Sequence, residues 1–215
     1  MQNAISSVDL KTIRQLLSEN PSLANEGLPY SDGNSVPAHP LHRICDGIYE
    51  KRYSDEDGVE MATLFLACGA DINGNVTAKN KDTPLVAACS LHADLVALFL
   101  IQKGADLEHP GCHGGTPLHW AAWCGRDVVV SKLLERKVPI NKLCDTFKST
   151  PLFWAFHGFR SGEKKNRFQY TACIRKLMEA GADRTIPNFE GYTVFDLIDE
   201  NDIELKKLLE KDKHS

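Results

Sequence analysis

Apolar and polar positions alternate along this chain with the period of short helices. Val128, Val129, Leu133 and Leu134 are spaced to share one helical face, and LKTIRQLLSENPSLAN near the start reads as another helix. Most apolar runs are short and end at glycine or in a polar stretch. The longest, Leu95 to Ile101, has seven residues. A membrane span needs about 20, so no span is expected. The N-terminus, MQNAISSVDLKTIRQ, lacks a basic segment leading into an apolar run and does not read as a signal peptide.

The helical segments repeat. Thr83-Pro84-Leu85, Thr116-Pro117-Leu118 and Thr150-Pro151-Leu152 begin 33 and 34 residues apart, and Gly104-Ala105-Asp106 follows Pro84 by 20 residues. Gly69-Ala70-Asp71 and Gly181-Ala182-Asp183 close other segments in the same way. The residue types have local reasons. Thr caps a helix start, and Pro suits the first helical position, where the missing N–H costs nothing. Alanines after it permit close helix packing, and glycine suits the left-handed residue that ends the second helix.

These residues resemble the ankyrin-repeat family, whose pattern is DGxTPLHxAAxxGHxxxVxxLLxxGADxN. The stretch GCHGGTPLHWAAWCGRDVVVSKLLERKVPIN follows it closely. The resemblance implies an all-α solenoid of helix-turn-helix pairs with β-hairpin fingers between them. About six units are expected, at residues 1–27, 28–73, 74–108, 109–141, 142–185 and 186–215, forming one domain. The first and last read as capping units. The charged final segment, IELKKLLEKDK, suits a terminal repeat with no neighbour to cover it. Two units are long: Pro40 to Gly69 is 29 residues and Pro151 to Gly181 is 30, against 20 in the regular copy. The insertions fall near 46–58 and 158–169, between first and second helices. Asp55, Glu56 and Asp57 cluster in one, and Lys164, Lys165 and Arg167 in the other.

Composition narrows the function. The chain has 215 residues and a formal net charge of −4, which argues against a basic face for nucleic acid. Seven scattered cysteines fit buried free thiols in a reducing compartment, so a cytoplasmic protein is expected. There is no Gly-x-Ser-x-Gly elbow, phosphate loop or GxGxxG stretch, and no cofactor is expected. His109, Cys112, His113, His119 and Cys124 lie within 16 residues. They are the residue types that hold zinc, but no CxxC pair occurs, and the resemblance gives His119 a structural hydrogen-bonding role. His42 is read the same way.

The resemblance further implies a non-enzymatic module, adaptor or inhibitor, that binds a partner protein as a monomer. The contact surface would be the concave face and fingers. By register, the candidates are Lys79, Asn80, Asp82, Ser90 and Leu91; Cys112, His113, Trp123 and Cys124; Phe147, Ser149 and His157; and Phe189, Glu190 and Tyr192. Their aromatic members suit an interface, because hot spots are enriched in Trp and Tyr. Trp120 and Trp154 are expected to pack in the core. A metal-dependent or cysteine-based enzyme, or a self-associating structural protein, are the alternatives.

Overall fold

The computed structural model describes residues 1–29, 37–74, 81–162, 167–199 and 202–210. The candidates Lys79 and Asn80, and the pair Lys164 and Lys165, lie outside the described residues. The chain divides into two compact units, Met1–Cys112 and His113–Ser215.

The first unit contains α1 (Gln2–Ser6), α2 (Leu10–Glu19), α3 (Pro40–Tyr49), α4 (Asp55–Ala67), α5 (Pro84–Ser90) and α6 (Asp94–Lys103). Helix α3 packs on α4 and α5, and α6 packs on α4 and α5. Their shared core includes Ile44, Cys45, Met61, Phe65, Leu85, Val96 and Leu100. Thr83 caps α5 by accepting the Val86 N–H at 3.3 Å, with Pro84 in the first turn. His39 takes the place of Thr before Pro40, and its ring Nδ1 accepts the Leu41 N–H at 3.3 Å. Gly104 ends α6 at φ 91°, a left-handed conformation in which a side chain is strained.

The second unit contains α7 (Pro117–Trp123), α8 (Asp127–Glu135), α9 (Pro151–Ser161), α10 (Arg167–Glu179) and α11 (Ile203–Glu210). Helix α7 packs on α8 and α9, and α10 packs on α8 and α9. On α8 the buried residues are Val129, Val130 and Leu133, while Val128 is exposed. The face is thus rotated from the one expected, with Val130 inside and Val128 outside. After α10 a short 3-10 turn, Val194–Leu197, stands where the repeat pattern expects a first helix. Val194 replaces the usual Pro there, and Thr193 and Asp196 cap the turn reciprocally. Leu205 and Leu209 bury one side of α11 while Lys207 is exposed, as expected of a charged terminal helix.

The fingers do not form β-hairpin strands among the described residues. The first unit has one isolated antiparallel bridge, between Leu28 and Ala38. In the second, single backbone bonds close each finger, Cys144 N to Ser149 O and Asn188 N to Tyr192 O. Others join successive fingers, Thr146 N to His113 O and Phe189 N to Phe147 O. Prolines explain part of this shortfall: Pro187, beside Asn188, has no N–H to donate to a ladder.

Helices take up much of the two insertions. Helices α3 and α9 have 10 and 11 residues against 7 in α5 and α7, and α4 and α10 have 13 each against 10 and 9 in α6 and α8. The acidic cluster at the first insertion is a capping device and not a free patch. Ser54 and Asp57 form a reciprocal cap on α4, and Asp55 accepts the N–H groups of Leu95 and Val96 at the start of α6. Burial raises the Asp55 pKa against the lowering effect of those bonds.

Candidate functional site

The second unit holds a cleft of about 640 Å³ whose walls are chiefly aromatic. Its geometry follows from the two Thr-Pro starts. Trp120 and Trp123 are three residues apart on α7, and Trp154 and His157 are three apart on α9, so each pair shares a helical face. Both pairs line the cleft, together with Phe153. The fingers supply His113, Phe147 and Ser149, and the last segment supplies Asn188, Phe189, Glu190, Tyr192 and Leu197.

Close packing sets the ring positions. A Cβ on Gly158 of α9 would collide with the backbone carbonyl of Trp123. This glycine lets α9 approach the end of α7 and brings His157 into a stack on Trp123, with ring centroids 4.7 Å apart. Trp154 is buried and meets Trp120 at 5.2 Å, Trp123 at 5.7 Å and Phe147 at 6.2 Å, all edge-to-face. Its indole N–H donates to Ser149 Oγ at 3.1 Å. The Trp120 Nε1 is buried and lacks a partner among the described residues. Phe189 and Tyr192 are exposed at 60% and 52%, and Phe147 at 38%.

His119 lies beneath this site on α7. The Ser149 carbonyl can only accept, so ring Nε2 donates to it at 3.2 Å, and Nδ1 accepts the Thr116 N–H at 3.1 Å. Burial pulls the ring's pKa down to about 4. With both nitrogens committed to the scaffold, His119 is structural. Among the described residues, no group of three or more His, Cys, Asp or Glu could hold a metal ion. The expected parallel with His42 is incomplete. Burial lowers its pKa and its Nε2 faces Asp46 at 3.9 Å, but its Nδ1 has no partner among the described residues.

Eight of the expected contact residues come together here: His113, Trp123, Phe147, Ser149, His157, Phe189, Glu190 and Tyr192. Ser149 is buried and holds the tryptophan, a supporting role and not that of an exposed finger residue. Cys124 is half-buried at the end of α7 and does not line the cleft. Asp82, Ser90, Leu91 and Cys112 belong to the first unit. Asp82 accepts the Cys112 N–H at 2.6 Å and so joins its finger to the next, while Ser90 bonds back to the Ala87 carbonyl at 3.1 Å. Trp120 and Trp154 are expected to pack in the core. Trp154 is buried but lines the cleft, and Trp120 is only half-buried. Register at the fingers does not point to Phe153, Asn188 or Leu197, which also line it.

Comparison with known proteins gives the same fold. Residues 53–144 match the family model for ankyrin repeats in three copies. The mouse palmitoyltransferase ZDHHC13 is 25% identical over 175 residues, covering 81% of this chain and 24% of that protein. Palmitoyltransferase Hip14 of Drosophila melanogaster is 30% identical over 92 residues, 43% of this chain and 13% of that protein. The ANK repeat-containing protein nipk-1 of Caenorhabditis elegans is 29% identical over 141 residues, 63% of this chain and 23% of that protein. The chain thus spans less than a quarter of the length of each of these three relatives. With helices begun by Thr-Pro-Leu, second helices closed by left-handed glycines and three copies matched by the family model, residues 53–144 are ankyrin repeats.

Proposed function

We propose that this protein is a non-enzymatic interaction module that docks a partner protein in the aromatic cleft of its second unit. The observation that carries this is the exposure of Phe189, Tyr192 and Phe147 beside a cleft floored by tryptophans. Large aromatics left in water in one place need a use, and interfaces concentrate such residues. The cleft is preformed, which limits the ordering cost of association. The protein acts as a monomeric adaptor or inhibitor in the cytoplasm. The ankyrin family supports an interaction role, while the named transfer activity of the palmitoyltransferase relatives belongs to proteins more than three times as long.

The test is affinity capture from native-host lysate with the full chain, compared with a Trp123→Ala/Phe147→Ala variant whose helical circular dichroism and melting are first matched to wild type. A partner retained by wild type and lost by the variant is expected. Retention of every partner by the variant would sink the cleft as the docking site. Light scattering over a concentration series checks the monomer, and mass that grows with concentration would favour self-association through Phe189 and Phe195 (60% and 46% exposed).

A further inference from the structure

The chemistry of the cleft narrows what it can hold. Three relations between its rings matter. Trp120 and Trp154 meet at 81°, Trp123 and Trp154 at 70°, and Phe147 and Trp154 at 63°. All three rings thus pack against the buried Trp154, and a compact group entering the cleft beside this cluster meets several aromatic side chains of its lining. Aromatic faces carry the negative lobe of the ring quadrupole and attract cations.

The charges agree. Among the described residues lining the cleft there is one carboxylate, Glu190, and no lysine or arginine. Glu190 is exposed, and its carboxylate forms no ion pair with a described residue. An anion would find no counter-charge here.

Three polar side chains in the lining are already engaged. Ser149 Oγ holds the Trp154 indole, and Asn188 Oδ1 accepts the N–H groups of Glu190 and Tyr192. His157 Nδ1 is bonded to Ser161. An ordinary lysine ammonium, with three N–H donors, would leave water for a largely aromatic site whose one charged acceptor is Glu190, a costly exchange. Methylation removes those donors, spreads the charge over methyl groups that pack on rings, and keeps the positive sign.

We propose that the cleft takes a methylated lysine side chain of a partner polypeptide, with its ammonium head against the cleft's aromatic lining, Trp123 and Phe147 included, and its charge answered by Glu190. This rests on the reading of the cleft as a docking site. The volume exceeds what one trimethylammonium head fills, and exposed Phe189 and Tyr192 extend the apolar surface for the flanking chain. These two features favour a polypeptide source over a free quaternary amine.

The test uses the full chain and four small probes at pH 7.5 and constant ionic strength. They are N-acetyl-trimethyllysine methylamide, its neutral analogue with carbon in place of the charged nitrogen, the unmethylated lysine derivative, and choline. Indole N–H signals in nitrogen-proton correlation spectra report binding. The trimethyllysine probe should bind about tenfold tighter than the neutral analogue, the size of a partly desolvated cation–π contribution. It should also bind more tightly than unmethylated lysine and choline. Glu190→Gln should weaken it severalfold without altering the fold, and Trp123→Ala should abolish it. Equal or tighter binding of the neutral analogue or of unmethylated lysine would overturn the proposal, as would the absence of saturable binding by any probe. Tighter binding of choline would overturn the polypeptide source. If capture of a partner still depends on Trp123 and Phe147 while the probes fail, the ammonium inference falls and the docking reading stands. If both fail, both fall.

Discussion

Ser149 fixes Trp154 through one 3.1 Å hydrogen bond from the indole N–H to its hydroxyl. The same serine's carbonyl accepts from His119 Nε2 at 3.2 Å and from the Cys144 N–H at 3.1 Å. One buried residue therefore ties the finger to both α7 and α9 and sets the ring that Trp120, Trp123 and Phe147 meet. Ser149→Ala strands the buried indole donor and should cost about 1–3 kcal/mol. Urea denaturation measures the loss, and near-ultraviolet circular dichroism should change as the coupled tryptophans loosen. Trp154→Phe in the same background removes the stranded donor, so the double variant should lose less than the sum of the singles. Strict additivity would show that the hydrogen bond is not what holds the ring.

Trp120 presents the opposite situation. Its buried Nε1 has no partner among the described residues, and its ring meets Trp154 edge-to-face at 5.2 Å. An unsatisfied buried donor is a standing cost. Trp120→Phe removes it along with part of the ring. The expected result is a change from neutral to about 1 kcal/mol of stabilisation, read from the urea midpoint. A loss above about 2 kcal/mol, the range of a large core truncation, would show that the six-membered ring of the indole carries packing that outweighs the orphan donor.

Much of this was legible in the residues. Thr83, Thr150 and their following prolines start helices as their capping chemistry requires, and Gly104 ends α6 in the left-handed region. Register also brought Trp123, Phe147, His157, Phe189 and Tyr192 to one cleft. What register could not show is depth. Trp120 and Trp154 occupy the position after the motif's His or its equivalent Phe153, one step inside the face that varies, and only the approach of α9 at Gly158 decides that they line the space between the rings. Ser149 was misplaced for the same reason, since an outward finger position becomes a buried anchor once a tryptophan reaches it. Finger strands were expected from the family, but single backbone bonds suffice to join neighbouring fingers.

Stability should fall on mild acidification because three histidines are held neutral. Burial pulls His39 and His119 down to about 4 and lowers His42 as well. In the unfolded chain each takes a proton near 6.5. Between those values the unfolded state binds more protons, so stability is complete above about pH 6.5 and declines as pH falls toward 4. At about 1.4 kcal/mol per pH unit for each ring, His39 and His119 should each cost roughly 2–3 kcal/mol by pH 4.5. Asp55, whose pKa burial raises, works in the opposite direction at the acid end. Urea midpoints at pH 7.5 and 4.5 measure the slope. His39→Thr installs the residue that precedes Pro84, Pro117 and Pro151 and should remove one step of it. An unchanged slope in that variant would show that His39 is not among the titrating groups.

The first insertion also acts on a neighbouring helix. Helix α6 begins at Ala93, which has no side chain able to cap it, and the Asp55 carboxylate supplies the cap instead by accepting from Leu95 N at 2.6 Å and Val96 N at 3.1 Å. A carboxylate at a helix start satisfies free N–H groups and complements the helix dipole. Asp55→Ala should therefore cost about 1–2 kcal/mol in the first unit, with faster amide hydrogen exchange confined to the start of α6. Asp55→Asn keeps an acceptor and should recover part of the loss. Ala93→Ser places a local cap on α6 and should rescue Asp55→Ala more than it stabilises wild type, since wild type already has those N–H groups satisfied. Equal gains in both backgrounds would mean that Asp55 is not the cap, and that the first insertion contributes only its own helix turns.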